Sequence, residues 1–265
     1  MKYFYLVFLF LFYLNAQSQY YLDFHFKSKE IKGGIIVKNE NDTYFATSQE
    51  IEGNFPTPPS SLFLMFSYLM VSDTFPEYIS SKKYAWDGVN RFFFNEKREL
   101  WNKNTNLTEA FLSKNDWFFQ EMLRQIPSDV IKEKLHEIEY THAKWNEDIP
   151  YYWQFGGMLA TPEQTLSFLK KLVNLELPFS QESHKRLLHL IKINEENGRR
   201  LYGMEAYTIY QGERVEWFVG FYEKGDQRYY FSIRTYFSIE KPWDNSYSQQ
   251  KYIILSEVFD SLDLL

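Results

Sequence analysis

Length, composition and charge already exclude several classes of protein. The chain has 265 residues, a formal net charge of −6 and no cysteine. With an acidic balance and scattered basic residues, we expect no nucleic-acid partner. Without thiols there is no disulfide and no cysteine for lipid attachment, so the core alone must hold the fold. Aromatic residues make up 20% of the chain, which is ample for a large buried core.

The first residues have the pattern of a secretory signal. Lys2 is followed by an almost unbroken apolar run from Tyr3 to Tyr13, and then by the small residues of Ala16-Gln17-Ser18. This predicts a signal peptide over residues 1–18, cleaved after Ser18 or close to it, and a periplasmic or secreted protein. The apolar run is about half the length that spans a bilayer, so we expect no stable membrane anchor after cleavage. Residues 19–265 are expected to form a single domain, since no linker divides them.

Two short β-prone stretches open the mature part. Gly34-Ile35-Ile36-Val37 and Thr43-Tyr44-Phe45-Ala46 flank a turn-forming stretch, which predicts a β-hairpin. Prolines then precede an apolar run from Ser60 to Met70, and prolines suit the first turn of a buried helix. Apolar residues through the middle third recur mostly at spacings of three and four, which is typical of helices. We expect the helical part to cover about residues 60–198.

Two helix starts can be read within that part. Thr161-Pro162-Glu163-Gln164 combines a capping threonine, a proline at the first helical position and a glutamine three residues on. A further helix is expected to begin near Ser180. We expect it to end at Asn197-Gly198, because asparagine and glycine commonly terminate helices.

In the last third of the chain, the residue pattern changes from one typical of helices to one typical of strands. Three stretches rich in aromatic and β-branched residues follow one another: Leu201 to Tyr210, Arg214 to Glu223 and Gln227 to Phe237. Gln211-Gly212 and Gly225-Asp226 separate them, which predicts an antiparallel meander. A closing amphipathic helix is expected from about Ser246 to Leu262. The sheet segments, about 30–48 and 200–238, are expected to join in one sheet, giving an α+β domain with a helical insertion.

Several short strings stand out along the mature part. They are Lys32-Gly33-Gly34-Ile35, Pro58-Pro59-Ser60-Ser61, Trp86-Asp87-Gly88, Leu201-Tyr202-Gly203 and Trp217-Phe218-Val219-Gly220. In this order and spacing they resemble the class D β-lactamases and the related sensor and transpeptidase domains of penicillin-binding proteins. The resemblance implies a serine β-lactamase/transpeptidase-like fold, an antiparallel sheet flanked by helices with a helical subdomain inserted. It also implies a β-lactam or peptidoglycan-like ligand and no cofactor.

The resemblance places Ser60 at the position of the family's nucleophile. The family has a lysine three residues later as the base, carboxylated in class D enzymes, but this chain has Phe63. A phenyl ring cannot accept a proton, and losing a general base costs on the order of 10²–10⁴-fold in rate. Ser60 is therefore either a plain helix N-cap or a nucleophile without its base. Trp153 matches the tryptophan that packs near the modified lysine, and without that neighbour we expect a core aromatic.

The second family motif is a serine in a loop beside the nucleophile. A gapless count from Ala110-Phe111 to Trp117 places Lys114 there, and the flanking matches favour this count. A slip of one residue would instead read Ser113-Lys114-Asn115 as the Ser-x-Asn pattern of transpeptidases. Lys114 is either a solvated loop lysine or a cleft residue that could act as a substitute base.

The third and fourth motifs have also changed. Tyr-Gly-Asn is replaced by Tyr140-Thr141-His142, so Tyr140 and His142 are either a core tyrosine and a surface histidine or ligand contacts. Lys-Thr-Gly is replaced by Met204-Glu205-Ala206. In a cleft, Glu205 would repel the substrate carboxylate that the family motif attracts.

Three of the four motifs thus lack their working side chains. The sequence predicts an exported β-lactamase-fold protein that is catalytically inactive or at most penicillin-binding. One alternative is a serine acyl-transfer enzyme acylated at Ser60. Another is a different hydrolase rebuilt from Ser60, Lys114, His142 and Glu205, which would line one cleft if the alignment holds. The five histidines have no ligand-like spacing, so we expect no metal site.

Overall fold

The fold is described from a computed structural model, which covers residues 22–48, 54–94, 96–140, 146, 148–240 and 245–264. The predicted signal peptide, residues 1–18, lies outside these ranges. Within them, no helix combines the length and the apolar character that crossing a membrane requires.

The main sheet has six strands, all antiparallel. Its strands are β1 (Lys32–Lys38), β2 (Thr43–Thr47), β5 (Lys192–Glu196), β6 (Arg199–Tyr210), β7 (Glu213–Lys224) and β8 (Gln227–Ser238). Their order across the sheet is β2-β1-β8-β7-β6-β5. The N-terminal hairpin therefore joins the meander through the pairing of β1 with β8, as the sequence predicted. Two short strands, β3 (Phe92–Phe93) and β4 (Glu96–Lys97), form a separate pair.

Seven helices with described bounds surround this sheet. They are α1 (Phe63–Thr74), α2 (Leu107–Leu112), α3 (Asp116–Leu123), α4 (Ser128–Glu137), α5 (Pro162–Val173), α6 (Gln181–Leu190) and α7 (Asn245–Ser261). A 3-10 turn over Ser60–Leu62 leads into α1. The predicted start of α5 is confirmed, because Thr161 and Gln164 form a reciprocal capping box.

The predicted end of the helix after Ser180 is wrong. That helix, α6, stops at Leu190, and β5 follows it and pairs with β6. Asn197 and Gly198 both have positive φ, of 51° and 75°, which is the backbone of a tight hairpin turn. An Asn-Gly pair serves as a helix stop or as a hairpin turn, and here the strand pairing decides for the turn. The helical part therefore ends at residue 190 and not at 198.

The sheet separates two hydrophobic cores. The larger core lies between the sheet and α1 to α6, and α1 is buried on nearly every side within it. The smaller core lies on the other face, against α7 and the helical segment 22–27. Strand β7 contributes to both cores, because successive side chains point to opposite faces: Trp217 and Val219 enter the larger core, and Phe218 enters the smaller.

Candidate functional site

Ser60 lies at the start of the 3-10 turn, against the edge of β6. Strand β5 pairs with β6 only as far as Tyr202, and the turn packs beyond that point. The Ser60 N–H donates to the carbonyl of Trp153 at 2.9 Å. The helix caps are Pro59 and Leu62, so the N-cap interpretation of Ser60 is wrong. Its φ of 52° is left-handed, a conformation that costs a non-glycine residue about 1–3 kcal/mol and must be held by its contacts.

The Ser60 hydroxyl is fully buried between two oxygen atoms. Its Oγ lies 2.6 Å from Oε1 of Gln154 and 2.6 Å from the backbone carbonyl of Tyr207 on β6. The hydroxyl and the backbone N–H of Ser60 are therefore both engaged with protein atoms. In this arrangement neither the hydroxyl nor the backbone N–H is presented to a ligand.

Phe63 fills the position where the resemblance would place a base. Its ring is fully buried and stacks on Trp153, with centroids 5.3 Å apart and planes at 26°. It also meets Tyr152 edge to face at 5.6 Å. Burying such a side chain contributes about 1.5–3 kcal/mol, so this part of the site stabilises the fold by apolar packing.

A buried carboxyl group lies next to this aromatic stack. Asp116, the first residue of α3, is 2% exposed and accepts hydrogen bonds from Nε1 of Trp153 at 2.8 Å and Nε2 of Gln154 at 2.9 Å. Burial raises its pKa to about 7, against the smaller lowering effects of these hydrogen bonds and of the cations Lys114 and Arg98. Gln154 thus connects a carboxyl group of raised pKa to Ser60.

The sequence reasoning missed both Asp116 and Gln154. Only Gln154 carried a clear signal, because it is a single polar residue within the aromatic run from Tyr151 to Phe155, whereas Asp116 ends the polar stretch that begins at Ser113. A polar side chain in such a run is buried with its neighbours and needs a partner there. Trp153 is the core aromatic that we expected, and its indole N–H also positions Asp116.

Lys114 lies in the loop between α2 and α3, with a φ of 51°. Among the described residues, no acceptor lies within hydrogen-bond or ion-pair distance of its ammonium. In particular, the ammonium does not contact the Ser60 hydroxyl. Burial lowers its pKa, against a raising effect of Glu205. Its suggested role as a substitute base stays a prediction.

Glu205 lies on the sheet face that is turned toward α7. Cross-strand partners share a face, and Glu205 is paired with Phe218 of the smaller core, whereas Met204 is paired with Val219 of the larger one. The Glu205 carboxylate lies 3.3 Å from the ammonium of Lys251 and its side chain is 44% exposed. The structure therefore does not bring Glu205 into contact with Ser60.

The two residues of the third motif cannot be treated together. Tyr140 is fully buried and packs on Phe168, with ring centroids 4.9 Å apart. Its hydroxyl has no hydrogen-bond partner among the described residues, and burial raises its pKa. Tyr140 is thus placed as a core residue, while His142 lies outside the described residues.

Aromatic and cationic side chains cover the edge of β6 beside Ser60. The Tyr207 ring contacts Phe93 and Phe94, with centroid distances of 5.2 and 5.7 Å. Its hydroxyl accepts a hydrogen bond from Arg98 at 3.0 Å, and the guanidinium of Arg214 lies 3.8 Å from the ring centroid. Over the ranges that the structure describes, no cluster of three or more His, Asp or Glu residues could hold a metal ion.

Comparison with known proteins defines the class to which this fold and site belong. Residues 76–250, about two thirds of the chain, match the penicillin binding protein transpeptidase domain. The chain belongs to this family. The matched stretch begins after the turn that carries Ser60.

Individual relatives support the same assignment. The chain is 28% identical over 223 residues to the regulatory protein BlaR1 of Bacillus licheniformis, covering 83% of this chain and 35% of BlaR1. It is 26% identical over 212 residues to β-lactamase OXA-48 of Klebsiella pneumoniae, covering 79% and 77%. The chain thus spans about a third of BlaR1 and about three quarters of OXA-48.

Solved structures confirm the predicted fold. A class D β-lactamase from Sebaldella termitidis superposes with a TM-score of 0.79 at 23% identity, covering 92% of this chain and 96% of that one. The C-terminal domain of the Bacillus licheniformis BlaR penicillin receptor superposes with a TM-score of 0.76 at 24% identity, covering 92% and 95%. At these identities the likeness is one of fold.

Proposed function

We propose that this protein is a non-hydrolytic member of the family, in which Ser60 is not acylated and the fold serves as a binding or scaffold domain. The observation that supports this is the state of Ser60: its hydroxyl is fully buried between Gln154 and the Tyr207 carbonyl. A β-lactam or a peptidoglycan-like molecule is the class of ligand that the family suggests. It would bind without forming a covalent bond.

Acyl transfer needs a reachable nucleophile, a base and N–H donors around the developing oxyanion. Here the Ser60 hydroxyl is 0% exposed. The residue one turn later, Phe63, has no proton-accepting atom, and the Ser60 N–H is already donated to the carbonyl of Trp153. Two of these requirements fail at Ser60 and the third at Phe63, so substituting one side chain would not restore the reaction.

Intact-mass measurement after incubation with benzylpenicillin tests this proposal. We expect no covalent adduct, and hydrolysis of a chromogenic cephalosporin no faster than by Ser60→Ala. Ser61→Ala is the matched control, because it removes the neighbouring buried hydroxyl. An adduct that maps to Ser60 and is absent from Ser60→Ala would show that the proposal is wrong.

A second candidate is a penicillin-binding protein that is acylated at Ser60 and turned over slowly. The lowered pKa of Lys114 favours it, because a desolvated lysine can act as a base near neutral pH. If Lys114 has this role, Lys114→Met should abolish an adduct that the unsubstituted protein forms. An adduct of equal yield in Lys114→Met would remove Lys114 from the mechanism.

We also propose that residues 1–18 direct export and are removed, leaving a periplasmic or secreted protein without a membrane anchor. The support is the sequence pattern alone, a charged start, an apolar run and small residues before Gln19. N-terminal sequencing of protein recovered from outside the cytoplasm should then begin at Gln19 or close to it. Recovery of the full-length chain from the cytoplasm would contradict this.

A further inference from the structure

The hydroxyl of Ser60 has fewer protons than its two close oxygen contacts require. A serine hydroxyl carries one proton, yet Ser60 Oγ lies 2.6 Å from Oε1 of Gln154 and also 2.6 Å from the Tyr207 carbonyl oxygen. One of these two oxygen pairs would have no proton between its atoms. Two oxygens at that distance repel each other unless a proton lies between them.

An amide flip of Gln154, which exchanges the positions of Oε1 and Nε2, removes the inconsistency. Amide oxygen and nitrogen are nearly isosteric, so their placement is an assignment that the hydrogen-bond network must decide. In the reversed orientation, Nε2 donates to Ser60 Oγ and the Ser60 proton goes to the Tyr207 carbonyl. Oε1 of Gln154 then faces Oδ2 of Asp116, at the 2.9 Å position that Nε2 now occupies. That contact requires a proton on Asp116.

We propose that Asp116 is a neutral carboxylic acid in the resting protein and a positioning residue for Ser60. Acting through the reversed Gln154 amide, it holds the Ser60 hydroxyl against the carbonyl of Tyr207. Each oxygen–oxygen or nitrogen–oxygen contact in the chain of groups then contains one proton. This inference rests on the proposed function, since it names the group that keeps Ser60 unreactive.

The surroundings of Asp116 agree with a neutral carboxyl group. Its two hydrogen-bond partners, Trp153 and Gln154, are uncharged. The charged groups that face it are the ammonium of Lys114 and the guanidinium of Arg98, and the phenol of Tyr151 interacts with it as well. Among the described residues, the hydrogen-bond partners of Asp116 include neither cation, and Arg98 donates to the Tyr207 hydroxyl. Burial outweighs the effect of these cations and raises the pKa of Asp116 to about 7.

The arrangement makes the hydrogen bonding of Ser60 depend on the proton of Asp116. When Asp116 ionises, its oxygens accept only, so Gln154 must turn Nε2 toward it. Ser60 then loses the amide donor and faces Oε1 in its place. The environment of the serine side chain should therefore change at the pH at which Asp116 titrates, although the two hydrogen-bond partners described for the Ser60 hydroxyl, the Gln154 amide and the Tyr207 carbonyl, do not ionise.

NMR of the full chain labelled with carbon-13 at the Asp carboxyl and Ser Cβ positions tests this. We expect the Asp116 resonance to titrate with a midpoint near pH 7, and the Ser60 Cβ resonance to shift with the same midpoint. Asp116→Asn, an isosteric analogue of the neutral acid, should abolish the shift at Ser60. Asp129→Asn, at an exposed residue of α4, should leave it unchanged.

Two results would overturn the inference: an Asp116 carboxyl that stays anionic between about pH 4 and about pH 8, or a Ser60 signal that does not follow it. If Asp116→Asn does not fold, nuclear Overhauser contacts in the unsubstituted protein decide, since the Gln154 amide protons should then lie next to Ser60 Hβ. A penicillin adduct on Ser60 would end the proposed function, whereas the titration itself would remain measurable.

Discussion

Two buried carboxyl groups, which lie on opposite sides of the sheet, have pKa values shifted in opposite directions. Asp116 and Glu216 are each 2% exposed. Asp116 has only uncharged donors, and burial raises its pKa to about 7. Burial acts on Glu216 in the same direction, but Lys251 and Arg214, each at 2.7 Å, outweigh it and hold the pKa of Glu216 below its usual range.

The difference indicates that the charge of the partner, together with the depth of burial, decides whether a buried carboxyl group is ionised. It also distinguishes two regions of the molecule. Around Ser60, the hydrogen-bond partners of the hydroxyl and of Asp116 carry no charge, which suits a hydroxyl that is locked in place. The region below α7 is an ionic cluster of Glu216, Lys251 and Arg214, which fastens that helix to β7.

Removing the charge of Glu216 should give the largest loss of stability. Glu216→Gln keeps the shape but leaves Lys251, which is 2% exposed, without its nearest counter-charge. Breaking a buried pair costs about 3–5 kcal/mol, because a buried charge stays behind. Urea denaturation near neutral pH measures the loss. Asp116→Asn is the control, and a loss for Glu216→Gln no greater than for that variant would contradict the comparison.

Removing the Ser60 hydroxyl tests whether the network around it is structural. Ser60→Ala removes the hydroxyl that contacts the Gln154 side chain and the Tyr207 carbonyl, and losing a hydrogen-bonding group from a buried site costs about 1–3 kcal/mol. A serine held for catalysis behaves differently, because active-site residues often reduce stability. Thermal and urea denaturation of Ser60→Ala should therefore show a loss, and a gain in stability would argue for a retained active site.

Asp116 should make stability depend on pH in a defined direction. Its pKa is raised in the folded state, so its stabilising effect is complete below the unfolded pKa of about 4 and is lost as pH rises toward about 7. In this window the unfolding free energy should fall by up to about 1.4 kcal/mol for each pH unit. The measurement is the difference between the unsubstituted protein and Asp116→Asn at several pH values. A difference that is constant with pH would contradict the prediction.

The sequence predicted the fold well because its signals are local. The turns at Gln211-Gly212 and Gly225-Asp226 separate the strands of the meander, and the capping box at Thr161 starts α5. The exception was β5, where the Asn-Gly signal has two local meanings and only pairing with β6 separates them.

The candidate site was predicted only in part. The resemblance identified Ser60 and the absence of a base at Phe63, since both depend on position along one helix. Asp116 and Gln154 were missed because their roles depend on partners far away in the chain: Trp153 is 37 residues from Asp116, and Gln154 is 94 residues from Ser60. Spacing within a short motif carries no information about such contacts.

Substituting Glu205 should have the smallest effect on stability. It tests whether Glu205 belongs to the ionic cluster of Glu216, Lys251 and Arg214. Glu205 shares the buried Lys251 with Glu216, but its own side chain is 44% exposed, so solvent screens this carboxylate and its contribution should be about 0–1 kcal/mol. Glu205→Gln should therefore change the urea midpoint only slightly. Because its side chain lies on the face toward α7, it should also leave any binding of penicillin unchanged. If Glu205→Gln strengthens binding of a ligand that carries a carboxylate, Glu205 must reach the ligand from the edge of β6. The two faces of the sheet would then not be separate at this position.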